Sequence, residues 1–225
     1  MEFENDCSKI STCFRYLNQQ QLAFIDSKTT QLTYLRGENV FKQGAFAPYI
    51  LYIIDGLVKT YLQIGNHKQL NISLGKTGDF LAFSTIFSEN MYNYSAISLK
   101  DSTICMIDKE ALKYLMLQNP DFAMHIASKN GRNEMQLLEI IKNISYKQMR
   151  GKLASSLLYL SSEEFHEHAI FQYLTRQDIA DFASISTEST IKFIKEFEKE
   201  GILSLDGKNI IFNNKELLLE ISKKG

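Results

Sequence analysis

Tryptophan is absent from this 225-residue chain, proline occurs twice and cysteine three times. An odd cysteine count argues against a disulfide framework and sets a reducing compartment as the expectation. No apolar run approaches the roughly 18–20 residues that span a bilayer. The longest, near Tyr49–Ile54, has the length of a strand. The opening stretch lacks a basic region followed by an apolar one, so no signal peptide is read there. Neither sign of charge dominates: 25 Lys and Arg face 26 Asp and Glu, which excludes a histone-like or polybasic protein. P-loop, HExxH, GxSxG and CxxC motifs are missing, and no Ser/His/Asp set stands out by spacing, so an enzyme is not expected. The remaining composition, 44% apolar, is that of a soluble, cytoplasmic protein with one large or two modest domains.

The chain changes texture along its length. After Asn18, the residues Leu22 and Ile25 mark a short amphipathic helix. From Gln31 to Asp108, short apolar or alternating runs are separated by glycines at 37, 44, 56, 65, 75 and 78. Strands separated by turn residues at that interval indicate a sandwich or barrel. Asp55-Gly56 and Gly65-Asn66 are read as tight turns. From Glu110 the period becomes helical, with a short helix ending near Asn119. Pro120 suits a first helical turn. The helix that follows is expected from Asp121 to about Ser145, with Met124, Ala127, Gly131, Leu138 and Ile141 along one stripe. So long a helix, leaving a β domain with an apolar stripe, suggests packing against a second copy. Lys152–Leu160 is helical, and Ser161–His168 is read as a polar loop.

The segment Leu174–Phe212 has the order of a winged helix-turn-helix. Thr175-Arg176-Gln177-Asp178 forms a capping box, and Ile179, Ala180 and Ala183 face inward. Ser184-Ile185-Ser186 is a short turn with an apolar plug. Ser186 or Thr187 caps a second helix reaching about Glu200, with Ile191, Ile194 and Phe197 as its expected buried face. Thr187, Glu188, Ser189 and Lys192 then lie on the opposite face, whose start would enter a major groove. Gly201 ends the helix. Ile202–Leu205, Asp206-Gly207 and Asn209–Phe212 form a hairpin, a wing with Lys208 at its tip. From Ser145 onward there are eleven basic and twelve acidic side chains, so the domain has no basic footprint in bulk. Arg176, Lys192 and Lys208 form a local patch, which predicts a weak non-specific component of binding.

On these motifs the whole chain resembles the CRP/FNR family of bacterial transcription regulators. The carrying residues are Arg36-Gly37-Glu38-Asn39-Val40-Phe41-Lys42-Gln43-Gly44, Ile54-Asp55-Gly56-Leu57-Val58-Lys59 and Gly78-Asp79-Phe80. Leu174-Thr175-Arg176-Gln177-Asp178-Ile179-Ala180 and Ser186-Thr187-Glu188-Ser189-Thr190-Ile191-Lys192 carry it in the C-terminal part. The resemblance implies an α+β chain. An N-terminal antiparallel β-roll (double-stranded β-helix) over 1–118 would sense an effector, followed by a dimerisation helix over 119–145. A winged helix-turn-helix over 146–225 would bind double-stranded DNA. A second copy of the chain and RNA polymerase are the expected protein partners. It implies that Glu188 accepts from a cytosine amino group and that Lys192 meets guanine, with Thr187 as a third contact. Thr175, Arg176, Gln177, Ser186, Ser189 and Lys208 complete the expected DNA-binding set. An enzyme or a non-DNA ligand-binding protein on the same scaffold is the competing reading.

The resemblance also bears on the effector. Where cyclic-AMP-binding members carry a ribose-binding Glu and an Arg-Ser pair for the phosphate, this chain has Phe83 and Tyr94-Ser95. A phosphodiester without its guanidinium is poorly compensated, so cyclic AMP is disfavoured. Phe80, Phe83, Tyr94 and Ser95 are expected to line a more apolar pocket or a filled one. Cys7, Cys13 and Cys105 resemble the cysteine pattern of the FNR branch, which implies a [4Fe–4S] cluster with Glu4 or Asp6 as fourth ligand. The four histidines, His67, His125, His166 and His168, have no spacing that singles out a haem ligand.

Overall fold

The structure, a computed structural model, describes residues 12–65, 68–87 and 90–224. The chain forms two compact units: Met1–Asn66 with Ser73–Met135, and His67–Ile72 with Gln136–Gly225.

The first unit opens with helix α1, Gln19–Asp26. Asn18 caps it: its side chain accepts from the Gln21 amide at 2.9 Å, and the Gln21 side chain accepts from the Asn18 amide at 3.1 Å. Eight strands follow: β1 Thr29–Tyr34, β2 Asn39–Phe41, β3 Tyr49–Asp55, β4 Leu57–Gln63, β5 Gln69–Lys76, β6 Phe80–Leu81, β7 Ser95–Ser98 and β8 Ser102–Asp108. They make two four-stranded sheets, ordered β1-β8-β3-β6 and β2-β7-β4-β5. The pairing is antiparallel, with Thr29 opposite Ile107 and Tyr52 opposite Cys105.

The continuous apolar run of β3 has a physical reason. Alternate side chains of a strand point to opposite faces, and both faces here are covered. Ile50, Tyr52 and Ile54 join one core cluster with Cys105, Ile107, Phe14, Leu112 and Phe122. Leu51 and Ile53 join another with Phe41, Val58, Ala96 and Ile104. Between β3 and β4, Gly56 has φ +142°, and a Cβ there would collide with the Ser102 side chain.

Helix α2 spans Lys109–Gln118, with Asp108 Oδ1 accepting from the Ala111 amide at 2.8 Å. Helix α3 runs Pro120–Tyr146, one residue beyond its expected limits at either end. Its first turns bury Phe122 and Ile126, whereas Met124, Met135, Leu137, Leu138 and Ile141 are exposed.

The second unit holds α4 Met149–Leu160, α5 Arg176–Ala183, α6 Thr187–Lys199, the hairpin β9 Leu203–Asp206 and β10 Asn209–Phe212, and α7 Lys215–Lys224. Leu153, Leu157, Ile179, Phe197, Ile202 and Leu218 are buried to 2% exposure or less. Two features differ from the sequence reading. Residues 163–168 form a 3-10 turn that buries Phe165, not a plain polar loop. Helix α7 packs on α4 and had not been anticipated. Its cue was Asn214, whose Oδ1 accepts from the Leu217 amide at 2.9 Å.

Candidate nucleic-acid interface

The helix-turn-helix is built by two side-chain caps and a left-handed corner. Thr175 Oγ1 accepts from the Asp178 amide at 3.0 Å, and Asp178 Oδ2 accepts from the Thr175 amide at 2.8 Å, closing the capping box. Ser184, at φ +52°, ends α5. The next amide, of Ile185, donates to the Ala180 carbonyl at 3.1 Å. Ser186 then caps α6, its Oγ accepting from the Ser189 amide at 3.1 Å.

The buried face of α6 is Thr190, Ile194 and Phe197, at 0%, 2% and 0% exposure. The sequence reading had put Ile191 there. Ile191 is instead 40% exposed. Spacings of four and three place residues 190, 194 and 197 on one stripe. Thr190 is buried without penalty because its hydroxyl donates to the Ser186 carbonyl at 3.1 Å. The outer surface of α6 therefore carries Glu188, Ile191, Lys192 and Lys195, all exposed. Hydropathy alone ranks Ile191 as core, but the helical stripe through 190, 194 and 197 leaves it on the exposed face.

Thr187 is half-buried, and its hydroxyl donates to Gln177 Oε1. The Gln177 amide in turn donates to Asp181 Oδ1 at 2.7 Å. These two expected DNA contacts thus hold α5 and α6 in register with each other. Arg176 is half-buried, and burial lowers its pKa from the ordinary arginine value, leaving the guanidinium charged. Lys208 is exposed beside the wing turn, where Gly207 has φ +59°.

The acids at the far end of α6 are neutralised locally. Arg150 on α4 pairs with Glu200 and, at 3.9 Å, with Glu196, while its guanidinium lies 5.0 Å from the Phe197 ring centre. Lys192 Nζ is also 3.9 Å from Glu196. Glu196 and Glu200 are therefore partnered at the far end of the helix, which lessens their weight against the basic residues of the domain.

Phe80 and Phe83 pack together, their ring centres 6.2 Å apart, and the Tyr94 hydroxyl reaches the backbone at Ala82 beside them. Phe80 belongs to the cluster that includes Phe14 and Phe122, and Phe83 packs against that cluster. Tyr94 packs against the cluster formed by Phe41, Leu51 and Ala96. Ser95 is 4% exposed, and its Oγ accepts from the Gln43 amide at 3.0 Å. The Tyr94 hydroxyl accepts from the Ala82 amide at 2.7 Å, and burial pushes its pKa up to about 12. A phosphodiester requires cationic or free donor groups, so these residues do not fit a cyclic nucleotide.

Of the residues expected to hold a cluster, only Cys105 has a described side chain. Cys105 is fully buried and disulfide-bonded, contrary to the expectation of reduced cysteines. Cys7, Glu4 and Asp6, and the side chain of Cys13, lie outside the described residues. The described residues contain no group of three or more His, Cys, Asp or Glu side chains that could hold a metal. For the histidines, the His125 ring lies 4.7 Å from that of Tyr16, His168 is half-buried, and His67 and the His166 side chain lie outside the described residues.

Fold and site together define a two-part DNA-binding regulator, with a β-roll ahead of a winged helix-turn-helix. Residues 31–119 match the cyclic nucleotide-binding domain family, and residues 151–221 match the Crp-like helix-turn-helix domain family. The cAMP-activated global transcriptional regulator CRP of Salmonella typhimurium is 25% identical over 173 residues, 75% of this chain and 82% of that protein. The anaerobic regulatory protein of Pasteurella multocida is 26% identical over 227 residues, 96% of this chain and 81% of that protein. Among solved structures, FixK2 from Bradyrhizobium japonicum superposes with a TM-score of 0.75 at 16% identity, covering 86% of this chain and 96% of that one.

The chain belongs to the CRP/FNR family. It is a DNA-binding transcription regulator. No helix among the described residues is long and apolar enough to cross a membrane.

Proposed function

We propose that the protein is a cytoplasmic, non-enzymatic homodimer that reads a two-fold symmetric DNA site through the outer surface of α6. The observation that carries this reading is the exposed set Glu188, Ile191, Lys192 and Lys195 on a helix whose opposite face is fully buried. Glu188 supplies an acceptor for a cytosine amino group, and Lys192 supplies a donor for guanine O6 or N7. Lys is a single point charge and lacks the fork of Arg, so discrimination at guanine is weaker than a bidentate pair would give. Ile191 stands between them and suits the methyl group of thymine. Arg176, Ser189, Lys195 and the wing residue Lys208 face phosphates, and Thr175, Ser186, Thr187 and Gln177 hold the two helices in place.

The dimer is supported by α3. Met124, Met135, Leu138 and Ile141, with Ala127 and Gly131, make an apolar stripe at spacings of three and four, and the four large side chains are 54–70% exposed in the single chain. A second copy of the same helix is the partner that such a stripe fits. RNA polymerase is the protein partner through which bound DNA would be regulated.

Substitution at single readers tests the proposal. Glu188→Ala and Lys192→Ala each relax base preference at one half-site position by about 1–3 kcal/mol, and Ile191→Ala does so at a thymine. If all three variants keep the preferences of the parent protein, α6 is not the reading element.

A further inference from the structure

The β-roll raises a separate question: what occupies the place of a ligand? The match over residues 31–119 is to a cyclic nucleotide-binding domain, yet Tyr94 and Ser95 are already engaged inside the chain. The Ser95 hydroxyl takes the Gln43 amide and the Tyr94 hydroxyl takes the Ala82 amide. Ala82 itself is 1% exposed and held at φ +60°, a left-handed conformation unusual for a residue with a Cβ. Its buried amide has no regular helix or strand to bond within, and left unpaired it would cost about 1–3 kcal/mol. The phenol supplies that acceptor. The Tyr94 ring lies 5.4 Å from Phe41, which in turn stacks on Tyr92 at 4.1 Å. The Tyr92 hydroxyl donates to the Tyr49 carbonyl at 3.4 Å. Phe41 is on β2, Tyr49 on β3 and Ala82 directly follows β6, so the three aromatic rings bridge both sheets of the roll.

We infer that Tyr94 acts as a built-in ligand of the β-roll: its phenol holds the backbone donor and fills the space that a diffusible effector would otherwise take. DNA binding then needs no small molecule in this part of the roll. That last step rests on the DNA-reading function proposed above; the filling of the roll does not.

The test uses the full-length protein and cyclic AMP, cyclic GMP and p-cresol as probes. Neither nucleotide should shift the Tm of the parent protein. Tyr94→Ala should lower Tm, and p-cresol, which restores the missing ring and hydroxyl, should raise it saturably in the variant but not in the parent. Toluene, which lacks the hydroxyl, should restore less. Where Tyr94→Ala does not fold, Tyr94→Phe gives the second readout: exchange of the Ala82 amide with deuterium should speed up about ten-fold, the worth of one buried hydrogen bond. A nucleotide-dependent rise in the parent Tm overturns the inference. So does a folded Tyr94→Ala variant indifferent to p-cresol, or unchanged exchange at Ala82 in Tyr94→Phe. DNA binding is measured alongside: a parent protein that shows the expected Tm and exchange behaviour yet binds no DNA counts against the DNA-reading proposal, not against the filled roll.

Discussion

At the scale of single residues, the decisive pair is Thr190 and Ile191. Hydropathy ranks isoleucine as core and threonine as surface, and the structure reverses them. The threonine hydroxyl finds the carbonyl four residues back, so burial leaves nothing unpaired. The apolar pattern of α6 was thus legible to within one residue, and that one residue changes which side chain lies on the exposed face proposed to meet DNA. The exposure of Glu188 and Lys192 was legible from their place at the start of a capped helix. The inward bonding of Thr187 to Gln177 was not, because it depends on how α5 and α6 pack.

Buried phenols give a residue-scale prediction in pH. Burial raises the pKa of Tyr92 and Tyr94 to about 12, against roughly 10 in an unfolded chain. The folded state favours the neutral phenol, so their contribution is fully present below about pH 10 and is lost as pH rises towards 12. In an alkaline titration followed by tyrosinate absorbance, Tyr92 and Tyr94 should ionise late and together with unfolding, and Tyr94→Phe should remove one late phenol. Simple ionisation of all eleven tyrosines near pH 10 would contradict this.

At the scale of elements, turn chemistry made most boundaries readable. Asn119-Pro120, the Thr175 box and Gly201 each stop or start a helix where the sequence placed it. Helix α7 escaped because its three consecutive leucines show no period, and only Leu218 of them is buried. Its start at Asn214 becomes evident only when that side chain is seen to cap it. The division of the Phe80–Ser95 set between two cores was not legible for a related reason. Strand alternation sends neighbouring side chains to different cores, and no local motif says which core is which. The β3–β4 corner is the element most exposed to a single change. Gly56→Ala adds a Cβ against Ser102 at a positive φ, and should cost about 1–3 kcal/mol. Urea unfolding measures it; an unchanged midpoint would mean that the corner relaxes freely.

For the whole molecule, the exposed apolar stripe of α3 underlies the proposed dimer. Leu138→Glu combined with Ile141→Glu should convert the protein to a monomer in sedimentation while leaving its circular dichroism unchanged, and should weaken binding to a two-half-site duplex far more than to a single half-site. A parent protein that already sediments as a monomer would contradict the dimer.

Symmetric reading of DNA by α6 can be measured by selecting bound sequences from a random duplex pool with the full-length protein and no added effector. An inverted repeat should be enriched, its half-site centres about one helical turn, roughly 34 Å, apart or a multiple of it, with cytosine and guanine preferences that disappear in the Glu188→Ala and Lys192→Ala selections. An unenriched pool, or an enriched site without two-fold symmetry, would contradict it.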